Sequence, residues 1–475
     1  MTPDQTGLPV DLADVQGNIL RGYRQTRVRH LVVEVLDARA ARSWIAATAG
    51  SDRSLAPAIT SAAHWGDDPP AVCFNLGVTY AGLMALGVPE ATINSFPEAF
   101  REGMATRAST LGDWGSSAPE QWYPWFRPDK PVHLIATIYA NTAELLDREE
   151  QAITAGPGGR ALRIGGRNDG AWFNGDQVHF GYRDNISQPR FASVRTAGKY
   201  DDQPTAPLGT VLLGYPTGLE ELTWSLPVPA VLGMNGAFNA YRVLEQDVIA
   251  FEAFLDRAAT QVMGSRVADE LLPPGSEAAF GATASRFDAM REVIAAKLLG
   301  RWRNGTPLSL SPHNPAPTPP VSDTAFDYND DTSGVKCPMG AHARRSNPRG
   351  GKIVQRVANH TRRLVRRGIP YGPPLDPARP EEAERGLLAN FLCANLAAQF
   401  EAVQYDWINL GLQDPRITGS NDPLTGANQE DASWFDIPTS RGTVRLRGFP
   451  RLVRTRGGAY TFLPSLSALR WIGSI

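Results

Sequence analysis

Short apolar runs and stretches of helical spacing follow one another in a fixed order from residue 29 onwards, and a similar order begins again near residue 209. Residues 29–37 (RHLVVEVLD) read as a buried strand, and 38–47 as a helix with Trp44 on its apolar side. Residues 71–76 form a second predicted strand, and 80–86 a short helix closed by Gly87 and Pro89. Phe96, Phe100, Met104 and Leu111 stand near helical spacing, which predicts a helix over 96–111. Residues 132–140 read as a strand, Asn141 as the cap of the next helix, and 178–182 as the closing strand. Strand, helix, strand, strand, helix, strand is the order of a ferredoxin-like unit.

In the second half, 209–215 and 238–244 read as strands, and 247–262 and 287–298 as helices. Residues 386–393 are a strand feeding a helix capped by Asn395, and 444–452 with 459–463, joined through Gly457 and Gly458, suggest a hairpin. With 475 residues the chain is too long for one small core. The expectation is therefore an α+β protein of two tandem ferredoxin-like units with antiparallel sheets, residues 1–205 and 206–475. The halves share no convincing sequence identity, so any duplication is structural only.

Bulk properties narrow the partners. A net charge of −2 gives no basic field for nucleic acid or acidic membranes. No apolar run nears the roughly 20 residues that span a bilayer, and residues 1–20 lack the pattern of a secretion signal, so a cytoplasmic location is expected. Small molecules are the expected partners, and homo-oligomerisation is left open. Cys73, Cys337 and Cys393 lie far apart and form neither a zinc pair nor the C-x-x-C-H that attaches haem covalently.

Of seven histidines, His342 stands out, within Cys337-Pro338-Met339-Gly340-Ala341-His342-Ala343-Arg344-Arg345-Ser346-Asn347-Pro348-Arg349. A proximal imidazole binds haem iron and leaves the opposite face open for a small oxidant. Flanking guanidiniums, Arg344 and Arg349 among them, suit the two propionates of a haem. The plain alternative is a solvated histidine on a surface loop. His30 and His133 fall in or beside predicted strands, His64 and His313 in polar loops, and His179 and His360 near two further motifs. The unpatterned stretch between 303 and 336 delivers the chain to His342, and a loop of that length suits a functional role.

The first of those motifs runs from His179 to Pro189 (HFGYRDNISQP). Asp184 follows a predicted strand, where an aspartate is often only a turn former. Its sharper reading is a carboxylate that takes a proton from one peroxide oxygen and returns it to the other. The second, Arg362 to Gly372 (RRLVRRGIPYG), is a run of arginines that could be a solvated face. A fixed guanidinium there would stabilise negative charge as an O–O bond breaks.

Together these stretches resemble the dye-decolourising peroxidases, with supporting likeness over nearly the whole chain. The resemblance implies two ferredoxin-like units, one non-covalent haem b per chain, and the reduction of hydrogen peroxide with oxidation of bulky aromatic donors such as dyes and phenols. It implies His342 as the iron ligand, Asp184 as the distal acid–base residue and Arg366, two residues before Gly368, as the distal arginine. Glu401 is a candidate for the carboxylate behind His342. The family's G-x-x-D-G ends here in Asn185, which tolerates a positive φ. Donors too bulky for the pocket would be oxidised through surface aromatics, with Trp407, Trp434 and Tyr371 as candidates. A haem-handling protein with incidental peroxidase activity is the rival reading, and an oxygenase or dismutase on the same scaffold a third that leaves Asp184 without a role.

Overall fold

The computed structural model describes residues 10–475 apart from 53, 66–68, 157, 195–204, 220–221, 316–323, 352–358 and 380–382, and the side chains of Asn359 and His360 are also outside the description. The chain builds β1 (Arg27–Val35), β2 (Val72–Val78), β3 (Leu134–Ala140) and β4 (Leu162–Ala171), then β5 (Ala237–Gln246), β6 (Val365–Tyr371), β7 (Gly386–Cys393), the β8 (Trp434–Thr439) and β9 (Gly442–Arg447) hairpin, and β10 (Val453–Leu463). Eight strands form one antiparallel sheet in the order β4-β1-β3-β2-β10-β5-β7-β6. Each set of four repeats the ferredoxin-like order, last, first, third, second. The sets meet where Phe462 pairs with Val78.

Alternation sorts the side chains. β2 and β3 are buried along their whole length, β1 over most of it, and carry the apolar runs expected of strands covered on both faces. Helices Ala38–Thr48 and Ala143–Thr154 pack over the first set, each with a side-chain cap, Asp37 to the Ala40 amide and Thr142 to the Leu145 amide. Val248–Met263, capped by Asp247, and Arg286–Leu299, opened by a capping box of Ser285 and Asp288 and ended at Gly300 with φ +93°, pack on each other and build a second core with the β8–β9 hairpin.

Several expectations give way to local chemistry. The helix over 96–111 is broken into Glu98–Glu102 and Ala108–Leu111, because Gly103 adopts φ +79° between them. Thr142, not Asn141, caps the following helix, while Asn141 accepts from the Thr26 amide. The strand expected at 178–182 is a set of turns, and the fourth strand is Leu162–Ala171, whose glycines and charges conceal an alternation of buried and exposed positions. Residues 209–215 are turns rather than a strand. The closing hairpin is β8–β9; residues 453–463 instead lie as β10 between β2 and β5.

Candidate functional site

His342 opens a short helix, His342–Ser346, after the buried Cys337 and Ala341. That helix rests on the end of helix Arg286–Leu299. A Cβ added to Gly300 would lie 3.2 Å from Cys337 Sγ and 3.3 Å from Ala343 Cβ. The same turn reaches the Asp184 loop, since the Arg183 amide donates to the Arg303 carbonyl at 2.9 Å and Gly305 packs on Ile186. One helix end therefore carries both motifs.

The imidazole is held by a residue the sequence did not single out. His342 Nδ1 donates to Asp422 Oδ2 at 3.0 Å, with the histidine side chain 25% exposed and the carboxylate fully buried. The other oxygen, Asp422 Oδ1, accepts from the amides of Leu424 and Thr425 at 2.9 and 2.8 Å. Burial alone would raise this carboxyl, but His342, Arg345 and the Thr425 amide outweigh it and hold it below the ordinary carboxylate range. Nδ1 is thereby committed, so a metal bound by this imidazole would meet Nε2. Glu401 is not this partner. Its carboxylate takes Arg107 in a two-point pair at 2.6 Å and the Tyr460 hydroxyl at 2.8 Å. Asp422 lies in S-N-D-P-L-T, where the sequence signals an ordinary aspartate turn, and Oδ1 does form that turn while Oδ2 orients the histidine.

Asp422→Asn is expected to weaken hemin binding about 10- to 100-fold, because an amide cannot enforce the same tautomer with charge behind it. An absorbance titration of apoprotein with hemin checks this, and an unchanged affinity would separate Asp422 from the ligand's function.

The arginines divide by their contacts. Arg344 is buried, with Nη1 on Asp331 Oδ2 at 2.9 Å and on the Cys337 carbonyl at 2.6 Å, and its guanidinium lies 4.4 Å from the Tyr328 ring centroid. Those donors serve the fold of the 331–337 turn rather than an external carboxylate. Arg349, at φ +51°, extends over Phe326 and donates to the carbonyls of Thr324 and Phe326. Arg363 lies between like charges: burial first, then Arg349 and Arg366, lowers its guanidinium to about 10. Arg349 and Arg366, close enough to disfavour the charge on Arg363, make with it a place for an anion. Sequence reasoning passed over Arg363 because nothing in the run of arginines distinguishes it.

Asp184 and Arg366 are joined through the backbone between them. The Asp184 amide donates to the Asp176 carbonyl at 2.7 Å, and Asn185 follows at φ +57°, so asparagine does accommodate the turn where glycine was expected. Arg366 Nη2 donates to the Ser187 carbonyl at 2.6 Å. The Gln188 amide group pairs with the Arg366 backbone in both directions, accepting at 3.1 Å and donating at 2.9 Å. Gln188 thus extends the edge of β6 as a strand would and fixes the loop against it. His179 adds a second tie, Nε2 to the Tyr371 carbonyl at 2.8 Å, with its ring stacked on Phe173.

The donor set fits a haem. His342, with Nδ1 committed, would hold the iron through its other nitrogen, and the Arg349, Arg363 and Arg366 cluster would supply positive charge for carboxylates or an oxidant. No three His, Cys, Asp or Glu side chains among the described residues gather to hold a bare metal ion.

Comparison with known proteins points in one direction. A model of the DyP dimeric alpha+beta barrel domain matches residues 14–164. Among curated relatives, a multifunctional dye peroxidase of Amycolatopsis sp. is 29% identical over 97% of this chain and 95% of its own length, and a dye-decolorizing peroxidase of Mycena epipterygia is 27% identical over 98% and 87%. A solved dye-decolorizing peroxidase in complex with 2,6-dimethoxyphenol superimposes with a TM-score of 0.79 at 27% identity, covering 98% of this chain and all of that one. The family model, the curated relatives and the solved structure all point to a dye-decolourising peroxidase. Dye-decolourising peroxidases are haem-dependent oxidoreductases, and this chain is such a peroxidase. The α+β architecture expected for a dye-decolourising peroxidase is the one found. No helix among the described residues is long and apolar enough to cross a membrane.

Proposed function

We propose that the protein holds one non-covalent haem b per chain through His342, reduces hydrogen peroxide with Asp184 and Arg366, and draws electrons from aromatic donors. The observation that carries this reading is the bond from His342 to the buried Asp422, in which an otherwise costly desolvated carboxylate orients one imidazole. Bound haem supplies the iron at which peroxide is reduced. Asp184 accepts the proton of the incoming peroxide and returns it to the departing oxygen. Arg366, fixed by Ser187 and Gln188, opposes the negative charge that builds on that oxygen. Arg349 and Arg363 meet the propionates, a role that the contacts of Arg344 no longer support.

The division at 205/206 is retained as part of the proposal, the first half carrying Asp184 and the second His342 and Arg366. The two four-stranded sets support it. Three free, buried cysteines suit a reducing, cytoplasmic compartment. Bulky donors dock outside the peroxide site, and a groove of about 810 Å³ lined by Gln121, Glu245, Glu384, Arg385, Arg454 and Arg456 offers the space. Tyr371 stands beside it, its hydroxyl 2.7 Å from Glu384 Oε1, a carboxylate it shares with Tyr123.

Titration of the apoprotein with hemin is expected to saturate at one equivalent with a Soret band, and the pyridine adduct to have the spectrum of protoporphyrin IX iron. Peroxide-dependent oxidation of a phenol should appear only in the loaded protein. Saturation at another ratio, or a loaded protein inert to peroxide, would refute the assignment.

A further inference from the structure

Glu401 and Tyr460 are buried, ionisable and without a part in the chemistry above. The Tyr460 hydroxyl donates to Glu401 Oε1 at 2.8 Å. Arg107 pairs with both oxygens of Glu401 at 2.6 Å and also holds Glu102 at 2.6 Å. Two carboxylates around one guanidinium leave this cluster with a net charge of about −1, an environment that favours removal of an electron.

Sheet register ties the cluster to the peroxide face. Tyr460 pairs with Ala240, Ala240 with Phe391, and Phe391 with Arg366. Directly opposed residues share a face of a sheet, so these four form one row across β10, β5, β7 and β6. Three interstrand steps of about 4.8 Å put Tyr460 about 14 Å from Arg366. The Phe400 ring fills that interval, 5.3 Å from Phe391 and 6.1 Å from Tyr460.

A phenol sheds its proton when it loses an electron, so a buried tyrosine is readily oxidised only with a base in contact. Among the described residues, tyrosine hydroxyls are recorded on carboxylates at Tyr123 and Tyr371, which share the exposed Glu384, and at Tyr460. Tyr23, Tyr182 and Tyr215 donate to amide or backbone oxygens, which do not take the proton. The two tryptophans considered as relays lie under guanidiniums, Trp407 under Arg362 at 5.1 Å and Trp434 under Arg445 at 4.0 Å, and a cation over the ring opposes a positive charge in it.

We propose that Tyr460 is a buried one-electron redox site and that Glu401 accepts its proton. This rests on Arg366 marking the peroxide face. Peroxide reduction takes two electrons, and Tyr460 supplies one of them. Its Oη–H bond breaks and the proton passes to Glu401 Oε1, leaving a neutral phenoxyl radical and a neutral carboxylic acid. An aromatic donor later returns the electron, and Glu401 returns the proton.

The test uses haem-loaded protein in the Tyr371→Phe background, mixed with one equivalent of hydrogen peroxide, frozen and read by electron paramagnetic resonance. An organic radical signal that narrows with ring-deuterated tyrosine is expected, and Tyr460→Phe should abolish it while peroxide is still consumed. Glu401→Gln keeps a hydrogen-bond acceptor but no base, and should also remove most of the signal. Peroxide consumption with a tyrosyl signal unchanged in Tyr460→Phe, or with no tyrosyl signal in the starting protein, would overturn the Tyr460 assignment alone. Failure to consume peroxide at all would overturn it together with the functional reading on which it rests.

Discussion

Replacing His342 with alanine is expected to abolish the hemin-dependent Soret band of a ligated haem and reduce peroxide turnover to that of free hemin. The imidazole would hold the iron, and the surrounding arginines would still meet the propionates without it. Hemin would therefore still associate weakly, with a broadened spectrum and fast exchange. Added imidazole should restore part of the band, since deletion leaves room beside Asp422 for the free base. The measurement is an absorbance titration of wild-type and variant apoprotein, with circular dichroism to show that the fold is retained. A variant that keeps the wild-type band and turnover would place the iron elsewhere.

The second large effect is expected at Asp184. Changing it to asparagine preserves size but removes the base, and kcat/KM for hydrogen peroxide should fall by about 10²- to 10⁴-fold, the usual worth of positioned proton transfer. The resting spectrum should stay as in the wild type, because the loop is fixed through backbone bonds to Asp176 and through Gln188, not through the carboxylate. Stopped-flow mixing with peroxide separates binding from proton transfer. Full activity in this variant would favour a mechanism that uses only histidine and arginine.

Much of this arrangement was legible in the sequence, for identifiable reasons. The strands at β1, β2, β3, β5 and β7 are runs of apolar residues whose period leaves little choice. β4 was missed because it holds Gly165, Gly166 and Gly170, and Gly166 is needed where the Trp125 ring crosses the strand. β6 was hidden by its own arginines; Arg366 and Arg367 alternate across the strand, the latter donating to the Asn18 carbonyl. His342 and Asp184 drew notice through their motifs, whereas Arg366 was chosen from its run of arginines only through the family resemblance. Asp422, 80 positions from His342, could not be picked out, since its local sequence is fully accounted for by a turn.

The two ends of the described chain are joined. Gln16 Nε2 donates to both the Leu76 and Pro464 carbonyls, Asp14 accepts from the amides of Leu466 and Ser467, and Gly473 sits so close to Ala46 that a Cβ there would approach within 2.3 Å. During translation the first ferredoxin-like unit therefore emerges with one flank bare, and must wait for partners made more than 400 residues later. Closure of that flank waits until residues 464–473 have been synthesised.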